Sequence, residues 1–521
     1  MVVETHMGYS ISKRVVSLIV LVVAALSILF VGLTAQARPA GFIVVNPGDS
    51  IQAAIASAND GDVIVIHAGT YTESFTLNKP VSLLGDDRAT TIVGAASAQR
   101  VMTITGAAIS NTVVISGLTF THGNISGNGG GILIDGNARP VLENLIIAGN
   151  QASVSGGGIY ADVGSPLILI NVNVISNTAA GPSGTAIGGG GVWGTDVTVD
   201  GGRFENNASV NSRGGGLYAD KTLTLAGTQF ISNSASFSGG GAHVMSTTVV
   251  LNGWFEHNRS NDGGGGGGLR AGQLLMMNTV FISNAAINTS TGGGGALVVN
   301  SSGASSGAAV IVGGQFVDNV TNNRGGGLTV FGTLALTGTT FVNNAAQAGG
   351  GLSAEHDGDK RVVNAVLARN VAGSGAAIFV SLTSGRVDIL HTTIASPTLG
   401  AGAAIVIGKG AAGITNTIIA NYATGLQAIT GTVYADYNLY FGNTVTTTGS
   451  IDGGAHNVYG DPKFVAPPND DYHLMIGSAA IDRGADAGVP IDSDGRPRVG
   501  VPDIGAYEKD RRVVYLPLVR K

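Results

Sequence analysis

Cysteine is missing from all 521 residues, so no disulfide braces the chain and its stability has to come from a continuous core. Charge is scarce too, at 12% of residues against about 25% in an ordinary globular domain. A net charge of −6 with no basic stripe gives no reason to expect a nucleic-acid surface. Aromatic residues make up only 6%. What is abundant is glycine, 83 residues without collagen's three-residue period. Alongside 44% hydrophobic residues, it points to many tight turns between apolar strands and not to disorder, which goes with low hydrophobicity.

From Gly129 to about Gly402 one short theme recurs: a glycine run, an aliphatic residue, a strand-like stretch, then an aromatic or aliphatic residue three positions before an asparagine. The runs end at Gly131, Gly158, Gly191, Gly216, Gly241, Gly268, Gly295, Gly327 and Gly351. Asn207, Asn233, Asn258 and Asn284 are spaced by 26, 25 and 26 residues, whereas Asn284 to Asn319 is 35. Such a period signals a solenoid. One coil of about 25 residues cannot close a core by itself; stacked coils at about 4.8 Å bury a continuous one. Phe204, Phe230, Phe255, Phe281, Phe316 and Phe341 are expected to stack, and the asparagines to form a ladder. About fifteen rungs would extend on the order of 70 Å. The copies decay later, where Leu367 and Ile418 replace the aromatic and Ile394 leads to Pro397 in place of asparagine.

At the N-terminus, Lys13 and Arg14 precede an apolar run from Val15 to Leu33, with Ala35-Gln36-Ala37 as a cleavage site. Residues 1–37 therefore read as a signal peptide or, if uncleaved, a signal anchor, the one expected membrane contact. Residues 38–62 form a cap: Asp49 or Ser50 starts a short helix with Ile51, Ala54, Ile55 and Ala58 on one face, and Gly61 lies past its end. The strands Val63–Ile66, Gly69–Tyr71, Phe75–Leu77 and Val81–Gly85 follow. This opening resembles the first coils of pectin-lyase-like right-handed parallel β-helix proteins. The Gly-Gly-Gly-aliphatic and Phe-x-x-Asn copies resemble repeats of the polymorphic outer-membrane protein type.

Past Tyr434 glycine fades and Pro, Asp and Tyr rise. Asp461-Pro462, Tyr472-His473-Leu474, Ala480-Ile481-Asp482, Gly495-Arg496-Pro497-Arg498 and Pro502–Glu508 resemble the choice-of-anchor Q domain of exported bacterial β-helix proteins. That resemblance implies a secreted, cell-surface or cell-envelope protein and no particular reaction. The expected organisation is all-β: a single-stranded right-handed parallel β-helix over 63–430, a small C-terminal domain over 431–508, and a basic and apolar tail over 509–521.

Acidic residues are sparse along the repeats. The sharpest polar cluster is Glu355-His356-Asp357-Gly358-Asp359-Lys360-Arg361, in which Glu355, His356, Asp357 and Asp359 are the catalytic candidates and a solvated turn is the plainer reading. Asp492 and Asp494 have the first spacing of a Ca²⁺ loop but lack its later ligands. No cofactor is expected, with Ca²⁺ at that pair as the alternative, and salt bridges from Arg483, Arg496 and Arg498 as the ordinary explanation. In five successive copies the residue after the aliphatic is Tyr160, Trp193, Tyr218, His243 and Arg270. Alternation turns this column outward, where stacked rings ending in a cation suit a sugar chain, although like side chains on neighbouring strands also stabilise a sheet. The favoured reading is an exported, monomeric structural and binding protein that contacts a polysaccharide or a cell-surface partner. A polysaccharide lyase or glycoside hydrolase on the same fold is the alternative, and an adhesin-like stalk the third.

Overall fold

The computed structural model describes residues 41–181, 188–261, 264–287, 293–300 and 307–509. The export signal and the tail beyond Lys509 lie outside the described residues. Among those described, the chain is an all-β, right-handed parallel solenoid of about 13 turns, two fewer than the repeat count suggests.

The coil from Gly239 to Ser260 shows how one copy folds. Gly239, at φ 65, turns the backbone into Ala242–Val244; Thr247–Leu251, Trp254–Glu256 and Arg259–Ser260 follow on three further faces. Each strand pairs in parallel with its counterparts in the coils before and after, as in Leu217↔Ala242↔Leu269 and Phe230↔Phe255↔Phe281. Asn252 (φ 52) and His257 (φ 54) form the corners flanking the third strand in left-handed backbone, where Asn and His are tolerated better than branched residues. The middle glycine of each run admits no side chain: a Cβ at Gly240 would lie 2.4 Å from the carbonyl oxygens of both Arg259 and Gly267.

The interior is two columns side by side. The six phenylalanines stack with centroids 4.7–4.9 Å apart and ring planes within 13° of parallel, all fully buried. Beside them each asparagine Oδ1 accepts from both the backbone N–H and the Nδ2 of the asparagine one coil earlier. For Asn258 those distances, from Asn233, are 3.0 and 2.9 Å, while its own Nδ2 donates to Phe230 O at 2.8 Å. The ladder runs unbroken from Asn150 to Asn370.

The N-terminal cap follows the sequence. Helix α1 (Ile51–Ser57) buries Ile51, Ala54 and Ile55 over the first rung, and Ser50 Oγ accepts from Ala53 N. Glu73, one coil on, accepts from the Ile51 and Gln52 amides and so caps the helix a second time. The helix closes on extended Ala58, and Gly61 (φ 87) sits three residues later, in the turn into the next strand.

At the other end strand pairing passes residue 431, where composition places a boundary. Thr432–Asp436, Leu439–Phe441, Val445–Thr448, Ile451–Asp452 and Val458–Tyr459 still stack on earlier coils. The coils therefore end near Tyr459. The segment after them, carrying the antiparallel pair Phe464–Ala466 and Asp471–Leu474, folds back on the outside of the third face. There Tyr472, Leu474, Ala480, Ile504 and Ala506 cover Val342, Val366, Ala368, Ala395, Ile418, Ala420 and Leu439.

Candidate functional site

The outward column exists, in the expected register. Tyr160 stacks on Trp193 at 4.5 Å, Trp193 on Tyr218 at 6.4 Å and Tyr218 on His243 at 5.3 Å, all within 11° of parallel. It does not face solvent, which corrects the expectation of open ring faces. Trp193 is 8% exposed, Tyr218 4% and His243 2%; only Tyr160 and Arg270 at the ends are half-buried. The reason is the glycine turn, which arches back over the strand it feeds. A Cβ on Gly214 would sit 2.9 Å from Tyr218 Cβ, and one on Gly239 2.8 Å from His243 Cβ. The loop before each run adds polar cover: Ser238 Oγ lies 2.9 Å from His243 Nδ1, and Arg270 donates to Gly264 O at 2.8 Å. Burial, then the nearby Arg270 and Arg213 charges, holds His243 neutral, well below the ordinary histidine range.

The Glu355–Arg361 cluster divides in two. Glu355 lies on the outward side of the first face and is 1% exposed, so it is no solvated turn residue. Its carboxylate accepts from Arg324 at 2.6 Å and from Ser353 Oγ at 2.5 Å, and Arg324 also lies over the Phe379 ring. Lys360 is equally buried, with Nζ donating to Asp357 O and Gly358 O; burial lowers its pKa to about 8. Asp357 accepts from Thr383 and Ser384, and Asp359 from the Arg386 amide. His356 turns away, edge-on to Phe331. Glu355 is thus held by the coil before it and Asp357 and Asp359 by the coil after, so the candidates are engaged separately.

Asp492 and Asp494 do not converge either. Asp492 Oδ1 accepts the Asp494 and Arg496 amides and Oδ2 the Glu508 amide, while Asp494 pairs with His473 at 2.9 Å and Arg496 at 3.3 Å. The carboxylates that the Ca²⁺ pattern needs are held by the chain's own donors. Their neighbour Arg498 anchors the whole segment: it reaches Glu508 at 3.2 Å, Asn364 Oδ1 at 3.0 Å and the carbonyls of Gly505 and Ala506. Burial pushes Asp503 beside it up to about 6.

One arrangement escaped the sequence reading. Asp436, buried at the end of its strand, takes His456 Nδ1 on Oδ2 at 2.8 Å and the Tyr437 and His456 amides on Oδ1. Burial pushes this carboxyl up, but the His456 side chain and the two amides more than offset it and keep it below the usual range. Tyr437 stacks on His456 at 4.4 Å and 9°. The two rings form one wall of a cleft of about 420 Å³ whose other wall is Asp482, Arg483, Gly484 and Val501. The signal was the coil spacing: Asn438 N donates to Asn457 Oδ1 across one coil, which puts Asp436 beside His456.

Comparison with known proteins returns no match among family models or curated sequences. Among solved structures the chain is similar to the mannuronan C-5 epimerase AlgE6 A-module of Azotobacter vinelandii, at 16% identity over 79% of this chain and 94% of that one, with a TM-score of 0.29. It is similar also to pectate lyase Pel9A, at 13% identity over 92% of this chain and 98% of that one, with a TM-score of 0.26. Likeness this slight leaves the chemistry to be argued from the residues themselves.

Proposed function

We propose that this chain is an exported, non-catalytic β-helix that serves as a scaffold and contacts a polysaccharide or another cell surface. The observation that carries the reading is the state of the Glu355–Arg361 cluster. Acid–base work needs carboxylates free to approach a substrate. Here Glu355 is bound by Arg324 and Ser353, Asp357 by Thr383 and Ser384, and Lys360 by its own turn. Export rests on the basic residues, apolar run and small-residue site at the N-terminus. Contact falls to the coil surface at the ends of the outward column, where Tyr160 and Arg270 keep part of their side chains in solvent.

The test is incubation of residues 38–521, with Ca²⁺ present, on acidic and neutral polysaccharides, reading unsaturated products, reducing ends and bound fraction together. Retention without product is the expected outcome. Release of product from any one substrate would replace this reading with that of a lyase or hydrolase.

A further inference from the structure

The cleft between Tyr437–His456 and Asp482–Gly484 has the parts of a ligand site, and the structural role of those parts is already accounted for elsewhere. Asp436 orients the imidazole from behind. With its carboxylate ionised, the proton of neutral His456 sits on Nδ1, leaving Nε2 as the atom without a partner. That side chain is 56% exposed on the cleft wall. Histidine used purely for packing looks different in this molecule: His391 is 1% exposed, and its Nε2 is taken by Asn416. The pair His67–Asp86 lies on an open turn with both members exposed.

The opposite wall is equally prepared. Arg483 makes no hydrogen bond or ion pair among the described residues, yet the backbone on both sides of it is fixed. The Asp482 amide donates to buried Asp503 at 2.8 Å, the Gly484 amide to Pro502 O at 2.8 Å, and the Ala485 amide to Asn416 Oδ1 at 2.9 Å. Gly484 is required there, since a Cβ would come 2.8 Å from Pro502 O and 2.9 Å from Asn416 Oδ1. An unpaired guanidinium on a fixed backbone, in the same cleft as an oriented imidazole, supplies the fork of donors that recognises planar or tetrahedral oxyanions. The volume lies in the range of small-molecule sites, roughly 300–1,000 Å³.

We propose that this cleft binds an oxyanion, the carboxylate or phosphate of a small molecule, held by the Arg483 guanidinium, with His456 Nε2 accepting a hydroxyl of the same ligand and the Tyr437 ring as a flat side wall. The charged or titratable side chains around it are Asp436 behind the imidazole, Tyr437 stacked on it, and Asp482 and Arg483 across the cleft. With its Nδ1 turned to Asp436, His456 offers Nε2 to the cleft as an acceptor for a hydroxyl of the ligand. This site stands whether or not the coils hold a polysaccharide.

The experiment is calorimetric titration of the full chain with inorganic phosphate, with glucuronate and with glucose, all in one buffer. Binding of phosphate or glucuronate is expected, with glucose inert. The tighter of the two anions identifies the source as phosphate or carboxylate. His456→Phe, which removes the acceptor, should weaken binding about tenfold. Arg483→Gln should abolish binding with an unchanged melting temperature, because Arg483 supports nothing in the fold. Absence of binding by either anion, binding undiminished in Arg483→Gln, or glucose equal to glucuronate would each overturn the site.

Discussion

The coils between Gly123 and Asn370 and the coils after Asn370 solve the same problem in different ways. In the first stretch every turn satisfies its buried polar groups with the same ladder of asparagine bonds, and six successive rungs, from Phe204 to Phe341, fill the core with the same ring. Pro397 stands where the next ladder asparagine would fall, and proline has no N–H to donate. Beyond it shorter substitutes appear: Asn438 takes the Thr417 amide and Asn443 the Tyr422 amide. The outer surface there is sealed by the returning C-terminal segment, with Arg498 making contacts to five other residues. Repetition spreads stability over neighbouring coils; docking concentrates it in a few residues.

The sharpest way to break this comparison is Asn258→Leu. It strands the Asn233 N–H, the Asn233 amide and the Phe230 carbonyl inside the core. At ~1–3 kcal/mol per stranded group the loss should be about 5 kcal/mol. The matching change after the ladder, Asn443→Leu, removes bonds to Tyr422 N and Ile419 O at a half-exposed site where water can replace them. About 1 kcal/mol is expected. Urea unfolding of both variants checks the difference, and equal losses would mean that the ladder is no stronger than its substitutes.

Next in size is Arg498→Met, which leaves Glu508 buried without its cation. A broken buried pair costs about 3 kcal/mol or more. The effect should be local. Limited proteolysis is expected to cut faster after Tyr459 while the coils up to Asn370 keep their hydrogen-exchange protection. Protection lost evenly along the chain would show that the docked segment and the ladder unfold as one unit.

The ladder half of this contrast was legible in the sequence, because period, aromatic and asparagine recur in each copy and Ser50 precedes an amphipathic helix. The docked half was not. Arg498 and Asn364 are 134 residues apart, and no repeat relates them. The buried outward column failed for another reason. Alternation gives the direction of a side chain but not what lies above it, and the glycine turns supply a second layer. The glycines at positive φ in these runs, Gly189, Gly214 and Gly239, are the trace of that layer in the sequence. Trp193→Ala, on this view, should lower the melting temperature and not merely weaken a ligand.

The smallest expected effect is in pH, and it separates the two regions most cleanly. Burial, then the Arg498 charge, lowers His391 to about 3, against about 6.5 in an unfolded chain. As pH falls from 6.5 towards 3 the unfolded state takes up this proton and the folded state does not, so His391 weakens docking on acidification. Asp503 works the other way. Its carboxyl, pushed up to about 6, takes a proton in the fold between pH 6 and about 4, where an unfolded aspartate stays ionised. Acidification across that window therefore strengthens docking. The two slopes oppose each other, with Glu508, also raised by burial, on the side of Asp503, so the wild-type segment should change less in proteolytic sensitivity from pH 6 to 4 than a variant without His391. His391→Gln unmasks the Asp503 slope: cutting after Tyr459 should slow on acidification by up to about tenfold per pH unit, since one bound proton is worth ~1.4 kcal/mol per pH unit. Hydrogen exchange in the coils around Asn258, corrected for its intrinsic pH dependence, should not follow, because the ladder asparagines do not titrate. A variant whose cutting rate quickens with acid, or whose ladder protection shifts with it, would show that the grip on the segment does not depend on these two groups.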